Sequence, residues 1–142
     1  MADYWMEIEI KTSSVEAFNK TAKKCLGDSI YDVFNSCEYS TVTAFEGDCT
    51  EATVCEIIEM LKTEECPNLT FKIESDISRS KGLLLDGLLL QEELDSNGNI
   101  FLPISFDEGD DIAPIDYDTL ARKFLFVEQM RRYENIIDTQ AA

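Results

Sequence analysis

The stretch Tyr4-Trp-Met-Glu-Ile-Glu-Ile-Lys11 alternates between apolar and polar side chains. Successive side chains of a β-strand point to opposite faces of the sheet. One face of this segment carries Tyr4, Met6, Ile8 and Ile10, and the other carries Trp5, Glu7, Glu9 and Lys11. Such alternation is typical of a strand with one buried face. The sequence therefore predicts that the fold begins with a strand over Tyr4–Lys11.

A first helix is predicted after this strand. Ser13-x-x-Glu16 has the form of a capping box, in which the two side chains satisfy free backbone N–H groups at the start of a helix. Apolar residues then recur near one helical face as far as Leu26. Gly27 suits the left-handed conformation that ends many helices.

A second helix is predicted by the same features. Asp48-x-x-Glu51 repeats the capping pattern, and an apolar stripe continues to Lys62 or Thr63. Pro67 forbids continuation of the helix because it has no backbone N–H and its ring clashes with the preceding turn.

Three more segments have the composition of strands: Ile30–Phe34, Glu38–Glu46 and Asn68–Ser75. The resulting order, β-α-β-β-α-β, resembles the ferredoxin-like fold through the order of its elements. That resemblance implies a four-stranded antiparallel sheet with two helices on one face. We therefore predict an α+β protein with a ferredoxin-like half over residues 1–76. A hairpin, an acidic loop and a C-terminal helix over residues 77–142 are expected to pack on the same domain.

Two turns are predicted in the second half. Asp86-Gly87 stands between runs of Leu and favours a β-hairpin, although a Leu-rich helix interrupted at Gly87 is the alternative. Asn97-Gly98 fits a type I′ turn that would join a strand over Leu88–Leu94 to one over Ile100–Ser105. Pro103 places the latter strand at a sheet edge.

The last helix is predicted from about Tyr117 to Ile137. Its apolar stripe consists of Leu120, Phe124, Val127, Met130, Tyr133 and Ile137. We expect this stripe to cover the second face of the sheet, including Trp5, or else to form a homodimer contact. Leu125 and Phe126 lie off the stripe and offer a second contact surface.

Charge gives the main indication of function. The chain has 29 acidic and 12 basic residues and a formal charge of −17. This excess repels nucleic acid and anionic membranes, so a basic protein surface is the favoured partner. The segment Gly82–Ala121 contains no Lys or Arg. Its carboxylates are Asp86, Glu92, Glu93, Asp95, Asp107, Glu108, Asp110, Asp111, Asp116 and Asp118.

A second segment, Cys25–Leu61, also has acidic residues and no base. These residues are Asp28, Asp32, Glu38, Glu46, Asp48, Glu51, Glu56 and Glu59. If the two segments met in space, their carboxylates would form one anionic surface that imitates the phosphates of a nucleic acid. The alternative is an acidic surface that confers only solubility.

No pattern of residues indicates catalysis, a cofactor or a specific metal. The chain has no histidine, no Cys-x-x-Cys among its five cysteines and no phosphate-binding loop. Asp107-Glu108-Gly109-Asp110-Asp111 offers oxygen ligands, and Asp95–Asn99 imitates the start of an EF-hand loop. The latter fails where Ile100 replaces the required Gly. The odd number of cysteines and the strand pattern at the N-terminus predict reduced thiols and a cytoplasmic location.

The sequence therefore predicts a non-catalytic acidic module that occupies the basic, nucleic-acid-binding surface of a partner protein. Inhibitors of restriction and CRISPR systems often share this small, acidic character, which is a likeness of class and not of motif. The residues predicted to bind the partner are Asp107, Glu108, Asp110, Asp111, Glu92, Glu93, Asp95 and Asp116. The alternative function is a regulatory or assembly domain that dimerises through its sheet or its C-terminal helix.

Overall fold

The predicted first strand lies inside a five-stranded antiparallel sheet. A computed structural model describes residues 3–27, 41–101 and 117–141, which form a mixed α+β structure. The strands are β1 (Tyr4–Lys11), β2 (Thr41–Cys49), β3 (Leu69–Ser75), β4 (Arg79–Leu85) and β5 (Leu88–Glu93). Their order across the sheet is β2-β1-β3-β4-β5.

Three α-helices are found in the described residues: α1 (Val15–Leu26), α2 (Glu51–Thr63) and α3 (Tyr117–Ala141). The predicted end of α1 is confirmed, because Gly27 caps it with a φ of 67°. The predicted capping box of α1 is wrong. A 3₁₀ turn over Thr12–Ser14 precedes the helix, and the N-cap is Ser14, which makes no side-chain cap hydrogen bond.

The predicted cap of α2 is also wrong. Strand β2 extends to Cys49, which pairs with Tyr4, so Asp48 lies within the sheet. Thr50 is the N-cap, and its hydroxyl accepts a hydrogen bond of 3.2 Å from the backbone N–H of Thr53. Strand pairing therefore takes precedence over the local capping pattern of Asp48 and Glu51.

The main core lies between one face of the sheet and the helices α1 and α2. Strand β1 contributes its predicted apolar face, and the helices contribute residues such as Phe18, Ile57 and Leu61, all fully buried. Gly82 of β4 lies directly beneath the ring of Phe71 in β3. A Cβ atom at Gly82 would fall inside that ring, so the close approach of the two strands depends on glycine.

The ferredoxin-like order is not confirmed. Strands β2 and β3 both pair antiparallel with β1, so β2 and β3 are parallel with β1 between them. This is a split βαβ unit, with α2 as the connection. The sheet, however, continues through β4 and β5, so its strand count and order differ from the predicted arrangement. The predicted strand Ile30–Phe34 lies outside the described residues.

The hairpin at Asp86-Gly87 is confirmed, and the helical alternative is wrong. Leu85 pairs with Leu88, and the two turn residues have φ angles of 50° and 84°. Left-handed conformations at both positions are those of a type I′ turn, which matches the twist of the flanking strands. Strand β4 also pairs with β3 through a turn in which the Ser75 N–H donates to the Ser78 carbonyl oxygen at 2.8 Å. The sheet thus crosses the predicted boundary at residue 76.

The turn at Asn97-Gly98 exists, but it is not type I′. Gly98 has a φ of 83°, whereas Asn97 is not left-handed. The Asp95 carboxylate accepts hydrogen bonds from the backbone N–H groups of Asn97 and Asn99, which holds Asn97 in a right-handed turn. Leu94 forms a bridge with Ile100. The remainder of the predicted strand, from residue 102 onward, lies outside the described residues.

Helix α3 packs on β4 and β5, on the sheet face opposite α1 and α2. Its buried residues Phe126, Met130 and Tyr133 form a second core with Leu83 and Leu85. None of the described helices has the length and apolarity required to cross a membrane.

The predicted stripe of α3 is therefore wrong in part. Met130 and Tyr133 are buried as expected, but Phe124 and Val127 are 67% and 41% exposed. Phe126, predicted to lie off the stripe, is buried instead. Relative to the predicted orientation, α3 is rotated about its own axis. Lys123, one turn before Phe126, lies against β5 and donates a hydrogen bond of 2.9 Å to Glu92.

Candidate functional site

The candidate site is the face of strands β2, β1 and β3 opposite α1 and α2. Residues paired in register point to the same face, so the side chains of this surface form rows across the three strands. One row runs Asp48, Trp5, Glu74, and the next runs Glu46, Glu7, Lys72. Thr43, Glu9 and Thr70 make the third row. We call these three rows the acidic sheet face.

The acidic sheet face carries five carboxylates and one lysine, Lys72. The carboxylates are Glu7, Glu9, Glu46, Asp48 and Glu74. Glu9, Glu46 and Asp48 are exposed, whereas Glu7 and Glu74 are half-buried. Glu7 and Glu46 stand directly opposite each other on neighbouring strands. Like charges in that position destabilise a sheet, so the arrangement has a cost in the isolated protein.

The electrostatic strain is greatest at Glu7. Burial raises the pKa of Glu7 above its ordinary value of 4.5, and so do a hydrogen bond to Glu9 and the negative charges of Glu9 and Glu46. Lys72 acts in the opposite direction and lowers the pKa of Glu7. The net direction is upward, so the protein environment disfavours the ionised form of Glu7.

Helix α3 borders the acidic sheet face through Tyr133. This side chain is 5% exposed, and among the described residues its hydroxyl has no hydrogen-bond partner. Burial raises the pKa of Tyr133 to about 12, and the negative charge of Glu9 adds to the increase. Tyr133 packs with Leu83, which is aligned in register with Thr70 and Glu9.

The residues predicted from the sequence to bind a partner lie elsewhere. Glu92 is on β5 beneath α3, and its ion pair with Lys123 leaves the two side chains only 13% and 12% exposed. Glu93 is exposed on β5, and the Asp95 carboxylate is engaged in its own turn. The other predicted residues, Asp107, Glu108, Asp110, Asp111 and Asp116, lie outside the described residues.

The two base-free segments touch where α2 contacts β5, but the carboxylates of their strands do not come together. Glu46 and Asp48 lie on β2, and Glu92 lies on β5, at opposite edges of the sheet. Asp86 forms an exposed ion pair with Arg132 at 2.8 Å. Among the described residues, the concentrated negative charge comes instead from β1 and β2, with Glu7 and Glu9 supplied by the first strand.

The sequence carries a local indication of this surface. The polar face of Tyr4–Lys11 already placed Glu7 and Glu9 beside Trp5, and Glu46 and Asp48 alternate in the same way on β2. The alternation alone does not show that β1 pairs with β2. This pairing brings the four carboxylates together. Tyr133 joins them only through the packing of α3.

A separate cleft of about 490 Å³ lies beside α3. Its lining mixes the apolar residues Phe126, Val127 and Met130 with Lys81, Arg131 and Glu134. This lining offers no cysteine, serine or pair of carboxylates to act as nucleophile and base. Among the described residues, no group of three His, Cys, Asp or Glu side chains is placed to hold a metal ion.

In comparisons with protein-family models, curated protein sequences and solved structures, no match to this chain is found. The function is therefore inferred from the geometry and charge of the described residues.

Proposed function

We propose that this protein is a non-catalytic acidic module that binds a basic, nucleic-acid-binding surface of a partner protein and blocks it. The observation that carries the proposal is the acidic sheet face, whose three rows hold five carboxylates and one lysine and are bordered by Lys11 of β1 and by Arg79 and Lys81 of β4. A sheet presents side chains about 5 Å apart across strands and about 7 Å apart along a strand. The carboxylates therefore form a dense array of charge on a rigid support.

The repulsion between neighbouring carboxylates of this array supports a role in binding. Glu7 and Glu46 repel each other as an opposed pair, and burial, followed by the negative charges of Glu9 and Glu46, raises the pKa of Glu7. Arginine and lysine side chains of a partner would relieve the repulsion through charge-assisted hydrogen bonds. The unfavourable arrangement in the free protein would thus become favourable in the complex.

The charge of the whole chain would act at longer range. A formal charge of −17 attracts a basic surface before contact and accelerates association. Such steering is screened by salt, because the Debye length falls to about 8 Å at physiological ionic strength. Binding to the partner is therefore expected to weaken steeply as salt is added.

The test is affinity capture of partners from lysate at low and high ionic strength, with two variants of equal charge. The double variant Glu46→Lys, Asp48→Lys reverses charge on the acidic sheet face. The control, Glu56→Lys with Glu59→Lys, makes the same change on exposed positions of α2, behind the sheet. We expect the first variant to lose the partner and the second to retain it. Equal retention by both variants would refute the proposal.

The acidic loop remains part of the proposal. Asp107, Glu108, Asp110 and Asp111 are proposed to extend the contact, with Asp116, Glu93 and Asp95 in support. Their reversal to lysine in a third variant tests that extension separately from the sheet face. The four described cysteines, Cys25, Cys49, Cys55 and Cys66, are free thiols, which supports the proposed location in the reducing cytoplasm.

The ferredoxin-like interpretation also remains a proposal for Tyr4–Ser75. It is supported by the split unit of β2, α2 and β3 around β1 and by the position of α1 and α2 on one face. In this interpretation β4 and β5 are an addition that carries α3.

A second candidate function is an assembly domain that dimerises through α3. It is favoured by three exposed apolar side chains of that helix, Tyr117, Phe124 and Val127. A homodimer held by these residues would persist at high salt, whereas binding through the acidic face would not. Sedimentation of the protein and of Phe124→Ser at high salt distinguishes the two functions, since a monomer in both cases excludes the assembly domain.

A further inference from the structure

The hydroxyl of Tyr133 lies at the border of the acidic sheet face. It is buried, and it has no hydrogen-bond partner among the described residues. A buried hydroxyl without a partner is unfavourable, so such a group requires an explanation. The charge of Glu9 acts on this hydroxyl, yet no hydrogen bond joins the two groups. A donor placed between them would satisfy both.

The carboxylates next to this hydroxyl outnumber the basic residues beside them, which are Lys72 and Lys11. Glu7 and Glu9 are two residues apart on the same face of β1 and share a hydrogen bond. Glu46 of β2 adds negative charge, and Lys72 of β3 is the basic residue that acts on Glu7. A cation placed between the two carboxylates would relieve their repulsion.

An aromatic ring completes the row along β1. Trp5 precedes Glu7 by two residues, lies on the same face and is half-buried. An indole ring is the best aromatic partner for a cation, and a guanidinium group stacks on it readily. Trp5, Glu7 and Glu9 therefore present a ring and two carboxylates in succession.

We propose that Trp5, Glu7, Glu9 and Tyr133 form a receptor for one arginine side chain of the basic partner. This inference rests on the proposed function and identifies the partner side chain that the acidic sheet face binds. The planar guanidinium group has five N–H donors, enough to reach two carboxylates and the oxygen of Tyr133 at once. An ammonium group has three donors and no plane to stack on Trp5, so arginine is the preferred ligand.

The test uses a hexa-arginine peptide and the fluorescence of Trp5, which is the single tryptophan of the chain. Three variants of the whole protein are compared: Glu9→Gln, Tyr133→Phe and the control Glu59→Gln, which removes the same charge as the first from an exposed position on α2. We expect the peptide to change the Trp5 emission. Loss of one charge-assisted contact should weaken binding about tenfold in Glu9→Gln and in Tyr133→Phe. The control should bind as the wild type does, within about twofold.

The outcomes separate this receptor from the proposed function. If Glu9→Gln and Tyr133→Phe bind like the control, while reversal of Glu46 and Asp48 abolishes binding, the receptor is refuted and the acidic face stands. If hexa-arginine does not bind the wild type at low salt, both proposals fail. If hexa-lysine binds as tightly as hexa-arginine, the assignment to arginine is wrong. Tyr133→Phe removes only an unpaired hydroxyl, so circular dichroism is expected to show an unchanged fold.

Discussion

Gly82 is the residue at which the packing of the sheet tolerates least change. The ring of Phe71 is 1% exposed and occupies the space where a Cβ atom at position 82 would be. We expect Gly82→Ala to lower the free energy of unfolding by about 3 kcal/mol, because the buried ring has no free volume into which to move. Urea denaturation measures the change.

Gly47 provides the matched control for this prediction. It also lies within a strand, but a Cβ atom there would meet nothing within 4 Å. Gly47→Ala should therefore leave stability within about 0.5 kcal/mol of the wild type. Similar losses in the two variants would show that backbone flexibility, and not the contact with Phe71, explains the requirement for glycine.

Glu7 is predicted to make stability depend on pH. Its pKa is raised in the folded state, chiefly by burial and then by Glu9, so its protonated form favours folding. That contribution is complete below the unfolded pKa and is lost as pH rises through the higher folded pKa. Glu7→Gln should therefore be more stable than the wild type at neutral pH, by about 0.5 kcal/mol, as expected for relief of a like-charge pair.

Thermal denaturation across the acid range tests this prediction. The advantage of Glu7→Gln should shrink as the pH falls through the raised folded pKa of Glu7 toward 4.5, the ordinary pKa of a glutamate, and should change no further below that pH. Glu59→Gln is the control, because it removes a charge from an exposed position on α2, and it should show a smaller gain. An equal gain in both variants would trace the effect to net charge.

At the scale of elements, two ion pairs among the described residues join α3 to the sheet, and they differ in solvent exposure. The side chains of Lys123 and Glu92 are 12% and 13% exposed, whereas those of Arg132 and Asp86 are 53% and 58% exposed. Lys123→Met should cost about 2 kcal/mol, since it leaves the Glu92 carboxylate poorly solvated. Arg132→Met should cost less than about 0.5 kcal/mol, as exposed pairs contribute little.

Chemical denaturation measures the free energy of unfolding of the two variants and so distinguishes the two expected losses. Adding Glu92→Gln to Lys123→Met should recover part of the loss, because the carboxylate without a partner is then removed. Equal costs for Lys123→Met and Arg132→Met would show that burial of the inner pair does not matter.

Elements with strong periodicity were predictable from the sequence, and their ends were less so. Strand β1 has the predicted bounds, and the hairpin follows from Asp86-Gly87, because both depend on local chemistry. The cap of α2 was missed because β2 pairs with β1 as far as Cys49, which is a long-range contact. The buried stripe of α3 was predicted only in part, because several apolar faces were available, and Leu83, Leu85 and Glu92 select among them.

At the scale of the whole molecule, excess negative charge is predicted to limit stability. With 29 acidic and 12 basic residues, repulsion is weakened when salt shortens the Debye length from about 30 Å at 0.01 M to about 8 Å at 0.15 M. We expect this change to stabilise the fold by about 1 kcal/mol and to raise the melting temperature by about 4 °C. Differential scanning calorimetry in sodium chloride measures it. A melting temperature that falls or stays constant would contradict the prediction.

The candidate site, like the ends of the elements, could be predicted from the sequence only in part. The net charge and the choice of a basic partner follow from composition, but the position of the charge does not. Glu92 belongs to a base-free segment and yet is paired with Lys123 from α3. Glu7 and Glu9 belong to a strand that also contains Lys11, and Glu7 faces the carboxylate of Glu46 from β2. Which acidic residues remain available depends on the tertiary structure.

The central position of β1 has a consequence for the synthesis of the protein. This strand precedes both of its neighbours in the chain, β2 at Thr41–Cys49 and β3 at Leu69–Ser75. Until both neighbours have been synthesised, the sheet that buries Met6, Ile8 and Ile10 is incomplete. The apolar face of β1 is therefore expected to be exposed in nascent chains that end before β3, and such exposure favours aggregation.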